Sequence, residues 1–157
     1  MRVHLRAVGR LPGRSEERAL VDDYVSRFAA ASKPLGWRFG GEHEVDDRKG
    51  GGPAGEAELL RKGMPKGGLV VCLDERGATL SSPDLAEKLR GWADTGRPDV
   101  SFVIGGADGL AQDFVSEADF SLSLGAMVWP HKLVRVMLAE QLYRAATILT
   151  GSPYHRA

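Results

Sequence analysis

The sequence predicts an α/β fold, a single domain with a mainly parallel sheet flanked by helices. Three observations carry this. Strand-like and helix-like segments alternate along most of the chain, the order expected when helices cross between parallel strands. The run Leu69-Val70-Val71-Cys72-Leu73 is apolar at every position, as a strand covered on both faces should be. The 157 residues suffice for one continuous core and are too few for two comfortable ones. The domain is therefore expected to span residues 1–157.

In chain order, residues 2–8 (RVHLRAV) alternate, with Val3, Leu5 and Ala7 on one side and Arg2, His4 and Arg6 on the other. This predicts a strand with one covered face and His4 at the surface. After a loop at residues 9–13, Ser15 is placed to cap a helix reaching about residue 31, without a full capping box because Arg18 stands where Glu would complete it. That helix is expected to bury Ala19, Leu20, Tyr24, Val25 and Phe28 and to end at Pro34-Leu35-Gly36. Residues 37–45 alternate more weakly and predict a second strand. Residues 46–55, with Gly50-Gly51-Gly52-Pro53, read as a flexible loop, and residues 54–63 as a short helix with Leu59 and Leu60 inward.

The third strand, 69–73, is expected to turn at Asp74-Glu75-Arg76-Gly77. Ser82-Pro83 puts proline in the first turn of a helix over 84–95, with Leu85, Leu89 and Trp92 on one face. A strand at 100–104, a helix at 110–118 and a short strand at 120–124 follow. The last helix, about 133–149, carries Leu133, Val134, Val136, Met137, Leu138, Leu142, Ile148 and Leu149 on more than one face. It needs cover from more than one side, which a homodimer would supply.

Composition is that of an ordinary globular domain, 43% hydrophobic and 27% charged, and predicts no disorder. The opening MRVHLRAVGR lacks the apolar core of a signal peptide and no run reaches membrane-spanning length, so a cytoplasmic protein without membrane association is expected. Cys72, the only cysteine, lies in an apolar run and reads as a small core residue. Lys plus Arg equals Asp plus Glu at 21 each, which argues against nucleic-acid binding by bulk charge. The distribution is uneven. Residues 1–18 hold Arg2, Arg6, Arg10, Arg14 and Arg18 against Glu16 and Glu17, residues 131–157 hold Lys132, Arg135, Arg144 and Arg156 against Glu140, and each end is thus +3 with a middle of −6. Two such ends on one face would make a basic patch able to neutralise several phosphates.

In open α/β sheets ligands bind beyond the carboxyl ends of strands. Three loops qualify: the one after Leu73, the turn at Gly105-Gly106, and residues 125–130. Gly105, Gly106 and Gly109 directly follow Val103-Ile104, so the backbone there can turn tightly and approach a small molecule closely. The spacing G-G-x-x-G is neither the dinucleotide fingerprint nor a phosphate loop. The acidic stretch Glu42-His43-Glu44-Val45-Asp46-Asp47 offers adjacent rather than convergent carboxylates and one His, a poor ligand set, so no metal is expected. No carboxylate pair or nucleophile triad is evident. Histidine is the side chain whose usual titration range suits a proton acceptor near neutral pH, which makes His131 and His155 candidates, although Pro130-His131 fits a structural turn into the last helix at least as well. Arg135, Arg144 and Arg156 carry the fork of donors that recognises phosphates and bases, with Glu140 and Tyr143 on the same helix to orient them.

Residues 129–145, WPHKLVRVMLAEQLYRA, and the closing PYHR resemble the ribosomal large subunit methyltransferase H family, a group of SPOUT-class enzymes. Ala7-Val8-Gly9, Leu73-Asp74, Val103-Ile104-Gly105-Gly106 and Tyr154-His155-Arg156 extend the resemblance over nearly the whole chain. The resemblance implies a SPOUT-type fold with a C-terminal trefoil knot over about residues 69–157. It implies S-adenosylmethionine held at Leu73, Gly105, Gly106, Gly125, Ala126, Met127, Val128, Trp129 and Pro130. It implies methyl transfer to N3 of pseudouridine 1915 in 23S rRNA of the large subunit, acting on assembled ribosomes as a homodimer. The catalytic candidates are then His131, His155, Arg156 and Tyr154, and the RNA-binding candidates Arg135, Arg144, Lys132 and Arg10. The alternatives are a knotted methyltransferase for another RNA such as tRNA, and an inactive ribosome-binding protein. A tail as short as residues 151–157 reaches about 3.5 Å per residue, so to cover an active site it must begin near one.

Overall fold

The computed structural model describes residues 1–48 and 51–156. Gly50 of the expected flexible loop and the final Ala157 lie outside the described residues. The elements run β1 (Arg2–Val8), α1 (Glu16–Ala31), β2 (Arg38–Val45), α2 (Gly52–Arg61), β3 (Leu69–Thr79), α3 (Ser82–Asp94), β4 (Asp99–Ile104), α4 (Gln112–Glu117), β5 (Phe120–Ser123) and α5 (His131–Thr150), with a 3-10 turn at Lys33–Leu35. The five strands form one parallel sheet in the order β2-β1-β4-β3-β5. Because every strand is parallel, all carboxyl ends open on the same side of the sheet, and this is what gathers the loops of the site.

Helices cover both faces. On one side Val3, Leu5, Ala7, Phe102 and Val71 pack with Phe28 of α1, Leu85 and Leu89 of α3, and Leu138 and Leu142 of α5. On the other, Val8, Val45, Cys72 and Val103 pack with Ala57 and Leu60 of α2 and Phe114 of α4. The strand β4 is buried at all six positions, as a central parallel strand should be. The single-domain α/β expectation holds.

Several local expectations do not. The face of β1 read as open is covered by α2: Arg6 is only 5% exposed and donates to the carbonyls of Leu60 (2.9 Å) and Lys62 at the end of that helix, where a cation meets unpaired carbonyls and the negative end of the dipole. His4 is not a free surface residue either. Its Nε2 lies 2.7 Å from Asp99 Oδ1, and a Cβ at Gly40 would come within 2.2 Å of the imidazole, so the ring occupies the space a side chain on β2 would need. The register of β2 shifts at this point. In α1 the inward stripe is Val21, Tyr24, Val25 and Phe28, at helical spacing, and this turns Ala19 and Leu20 outward.

The start of α2 is Gly52 rather than residue 54, with Pro53 in its first turn. The strand β3 continues past Leu73, and the expected turn at residues 74–77 is a bulge within it: both Leu73 and Ala78 pair with Leu122. Helix α4 begins at Gln112 rather than residue 110, because the antiparallel bridge between Gly106 and Gly109 occupies its approach. The long α5 lies against α1 and α3 and buries Leu138, Ala139, Leu142, Ala145 and Ala146, so much of the cover it requires comes from its own chain. Leu133 remains 39% exposed, and Val136 and Met137 half-buried. No helix among the described residues is long and apolar enough to cross a membrane.

Candidate active site

At the carboxyl edge of the sheet, the ends of β3, β4 and β5 and the first turn of α5 enclose a cavity of about 380 Å³. Its walls come from the three loops expected to form a site. Leu73, Gly105, Gly106, Gly125, Met127, Val128 and Trp129 all line it, as does His131, whereas Ala126 and Pro130 lie in the same loop without lining it. Its volume falls in the range usual for cofactor pockets, roughly 300–1,000 Å³.

The glycines are demanded by sterics. A Cβ on Gly105 would lie 2.6 Å from the carbonyl carbon of Gly109, backbone against backbone, and one on Gly106 would lie 3.1 Å from Val8 Cγ1. The hydrogen bond from the Gly109 amide to the Gly106 carbonyl (3.0 Å) closes the turn. Main-chain groups therefore reach the cavity wall where side chains would otherwise stand, and such donors and acceptors beside an apolar bed suit a nucleoside-like ligand.

Polar residues that sequence reasoning did not select also line the cavity: Asp74, Glu75, Arg76 and Asp108. Arg76 is held by Asp74 (backbone amide to Oδ1, 2.8 Å) and Gln112 (2.9 Å). Beside Gly106 stands Glu56, with Oε2 3.7 Å from the position a Gly106 Cβ would take. Partial burial, followed by Asp108 and Asp47, pushes its carboxyl up from the ordinary range. Nothing in the spacing of Glu56 signalled this; only the packing of α2 against the β4 turn brings it there.

His131 opens α5 at the cavity wall. Partial burial, then the charges of Arg135 and Lys132, lower its pKa from the ordinary 6.5, with Asp47 opposing. The ring is therefore neutral at pH 7 and able to accept a proton. On its far side a methyl at Gly9 would sit 3.7 Å from Nε2, so the loop after β1 flanks the imidazole.

Arg135 corrects the expectation of an RNA contact. It is 1% exposed, and its donors go inward, to Glu42 Oε1 (2.9 Å), Glu44 Oε2 (2.6 Å) and the carbonyl of Gly9 (2.9 Å). Four of the other arginines in the two basic ends are also engaged: Arg2 with Asp99, Arg6 with α2, Arg18 with Glu42, and Arg144 with Glu140. The broad basic patch expected from net charge is thus not assembled from all these residues. Among the described residues Arg10, Arg14, Lys132 and Arg156 make no hydrogen bond or ion pair, and Arg10 and Lys132 follow Gly9 and His131 in the chain without lining the cavity.

The tail residues are elsewhere. Tyr154 donates to Glu140 Oε1 (2.9 Å), its ring centroid is 4.4 Å from that of Tyr143, and the Arg144 guanidinium lies 4.8 Å from its ring. His155 Nδ1 is 3.4 Å from Arg144 Nη1, and Arg156 is exposed. Burial and the bond to Glu140 push the Tyr154 hydroxyl up to about 12, so it stays a donor. Glu140 and Arg144 face a second cavity of about 540 Å³, which shares Leu122, Ser123, Leu124 and Gly125 with the first. Within one chain the structure does not bring Tyr154, His155 or Arg156 to the cavity of His131.

The model of the family described as "Predicted SPOUT methyltransferase" matches residues 1–155. The chain belongs to the SPOUT methyltransferase family. Among proteins similar to this SPOUT chain are the ribosomal RNA large subunit methyltransferases H of Ruegeria pomeroyi and Roseobacter denitrificans, each 58% identical over 156 residues and covering 99% of both chains. That of Cereibacter sphaeroides is 59% identical over the same span. A probable methylase family protein from Haemophilus influenzae shares the SPOUT fold at 13% identity, with a TM-score of 0.52 over 99% of this chain and 70% of its own. Among the described residues, no group of three His, Cys, Asp or Glu side chains could hold a metal ion.

Proposed function

We propose that this protein methylates ribosomal RNA of the large subunit, using S-adenosylmethionine, at N3 of pseudouridine 1915 of 23S rRNA. The observation that carries the reading is full-length identity of 58% to ribosomal RNA large subunit methyltransferases H. The substrate is the assembled ribosome, the compartment the cytoplasm and the active form a homodimer. Residues 1–157 act as one domain, with the cofactor-binding part, about 69–157, tied as a trefoil knot.

The cavity suits the cofactor on chemical grounds. Glycines 105 and 106 clear a cradle that any Cβ would fill, Leu73 and Met127 supply apolar surface, and no lysine or arginine cluster marks it as a phosphate site. Leu73, Gly105, Gly106 and residues 125–130 would hold the cofactor there. When bound, S-adenosylmethionine supplies a methyl group on a sulfonium, already activated for in-line displacement. The protein's remaining work is to position the acceptor nitrogen and take its proton.

His131 performs the second task in this reading, since its lowered pKa keeps the imidazole neutral. Arg10 and Lys132, which follow Gly9 and His131 in the chain and make no ion pair among the described residues, take RNA phosphates. Arg144 orients Tyr154 and His155. The tail lies off its own His131 cavity, which favours its serving the partner's site in the dimer.

The test is methyl transfer from labelled cofactor to intact ribosomes, free large subunits and naked rRNA, all from cells lacking the modification. Label in a large-subunit pseudouridine, strongest in intact ribosomes, is expected. Label only in naked RNA, or none despite cofactor binding, would replace the reading with another RNA target or an inactive ribosome binder.

A further inference from the structure

We infer that the polar corner of the cavity formed by Arg76, Glu75 and Asp108 is a subsite for the zwitterionic α-amino acid end of S-adenosylmethionine. The Arg76 guanidinium takes its carboxylate, and Glu75 and Asp108 take its ammonium. This deepens the methyltransferase reading and rests on its choice of cofactor.

The cavity has two unlike kinds of wall. Most of it is apolar side chains and glycine backbone, among them Leu73, Ile104, Gly105 and Leu122. Its carboxylates and its guanidinium come from two stretches only: Asp74, Glu75 and Arg76 in the bulge of β3, and Asp108 in the glycine turn after β4. One contact ties these stretches together. Arg76 Nη2 donates to Gln112 Oε1 (2.9 Å) in the first turn of α4, the helix into which the Asp108 turn leads. That turn is itself closed by the bridge between Gly106 and Gly109.

Arg76 is held in place but not used up. Its Nε and Nη2 face Asp74 (3.3 and 3.5 Å), and Nη2 also reaches Gln112, so one edge of the guanidinium is fixed. Nη1 makes no hydrogen bond among the described residues, and the side chain is 67% exposed, so the other edge is open to a ligand. A carboxylate is the group that matches such an edge. Glu75 and Asp108 are exposed and make no hydrogen bond or ion pair among the described residues, whereas Asp74 is already tied to Arg76.

Charge decides the kind of occupant. An RNA phosphate at this corner would face three carboxylates for one guanidinium, which is repulsive on balance. A plain cation would leave the open edge of Arg76 unmatched. A group that carries an ammonium and a carboxylate on one carbon matches both signs, and the net positive charge of S-adenosylmethionine suits the excess of carboxylates. Anchored by its adenosyl end at the glycine turn and by its amino acid end here, the cofactor is held on both sides of the sulfonium, which limits the directions its methyl group can face.

The experiment is calorimetric titration of wild type, Arg76→Met, and the double variant Glu75→Gln with Asp108→Asn. Three ligands are used: S-adenosylmethionine, S-adenosylhomocysteine, which keeps the amino acid end but not the sulfonium charge, and methylthioadenosine, which keeps the adenosyl part but lacks the amino acid end. Each variant should bind the first two roughly 5- to 30-fold more weakly than wild type, the size of a charge-assisted hydrogen bond at an exposed rim. Methylthioadenosine should bind all three proteins alike, which also shows that the cavity is intact in the variants. Three outcomes overturn the inference. One is unchanged S-adenosylmethionine affinity in either variant. Another is a parallel loss of methylthioadenosine binding, which would make the corner a support for the cavity. The third is a double variant that loses affinity for S-adenosylmethionine but not for S-adenosylhomocysteine, which would set the carboxylates on the sulfonium. A wild-type protein that binds none of the three ligands sinks the cofactor reading, and this inference with it; variants that match a wild type able to bind all three sink the inference alone.

Discussion

Arg135 on α5 donates to Glu44 on β2 across 2.6 Å, and this pair joins the last helix to the loop that flanks His131. The same Glu44 accepts from the amide of Leu11 (2.7 Å), while Arg135 reaches the carbonyl of Gly9 (2.9 Å). Residues 9–11 are therefore held at both ends by one buried guanidinium and its carboxylate. Replacing Arg135 with Met should cost about 3–5 kcal/mol, since Glu44 then lacks its buried counter-charge and the Gly9 carbonyl its donor. Urea unfolding measures this; a loss below about 1 kcal/mol would make the pair an ordinary surface bridge.

Glu44 also predicts a dependence on pH. Burial alone would raise its carboxyl, but the Leu11 amide, Arg135 and Arg18 outweigh it and hold the carboxyl below the ordinary value of 4.5. A depressed folded pKa gives stability that is present above the unfolded pKa and is lost as pH falls through the folded one. Glu44→Gln should therefore be less stable than wild type by about 2 kcal/mol at pH 7. The gap should close below about pH 4. A gap that stays constant with pH would assign the loss to packing.

For His131 the sign is opposite in consequence. Its pKa lies below 6.5, so the neutral base survives to lower pH, and the acid limb of kcat/KM should fall below that value. His131→Gln should lose about 10²- to 10⁴-fold in kcat with cofactor affinity retained. An acid limb unchanged in His131→Gln would remove the residue from the proton transfer.

Gly105→Ala tests the cradle. Its methyl would lie 2.6 Å from backbone, where nothing flexible can yield, so the turn must open. Reduced thermal stability together with loss of the S-adenosylmethionine-induced rise in melting temperature is expected. A variant that keeps that rise would place the cofactor elsewhere.

Removal of residues 154–157 should leave the fold intact and abolish methylation. The tail's contacts are to Tyr143, Glu140 and Arg144 on the outside of α5 rather than to the core. Circular dichroism and the ribosome assay on the same preparation read the two effects separately, and normal turnover would exclude the tail from the reaction.

Cys72 should resist alkylation at pH 8 in the folded protein, because burial, aided by Asp74, pushes its thiol up to about 12. Rapid modification without unfolding would contradict the packing of β3 against α2 and α4.

What the sequence by itself determined is the part governed by local periodicity and steric need. The alternation of β1, the continuous apolar run of β3, Ser15 capping α1 and the glycines after β4 each state their structure within a few residues, because strand pleat, helix repeat and tight turns are short-range properties. The three carboxyl-end loops of the cavity followed from these, since a parallel sheet must open all its ends on one side. Only tertiary structure decided which charges are free. Arg135 and Arg10 are equivalent as letters, yet one lies 1% exposed between Glu42 and Glu44 and the other is exposed, because α5 crosses β1 and β2 at residues more than ninety positions away. The same long-range packing placed Arg6 against the end of α2, His4 on Asp99 and Glu56 beside Gly106, while the tail folds back on the helix that precedes it, against Arg144 rather than His131. A charge carries no local signature of its partner, and the partner is chosen by the fold.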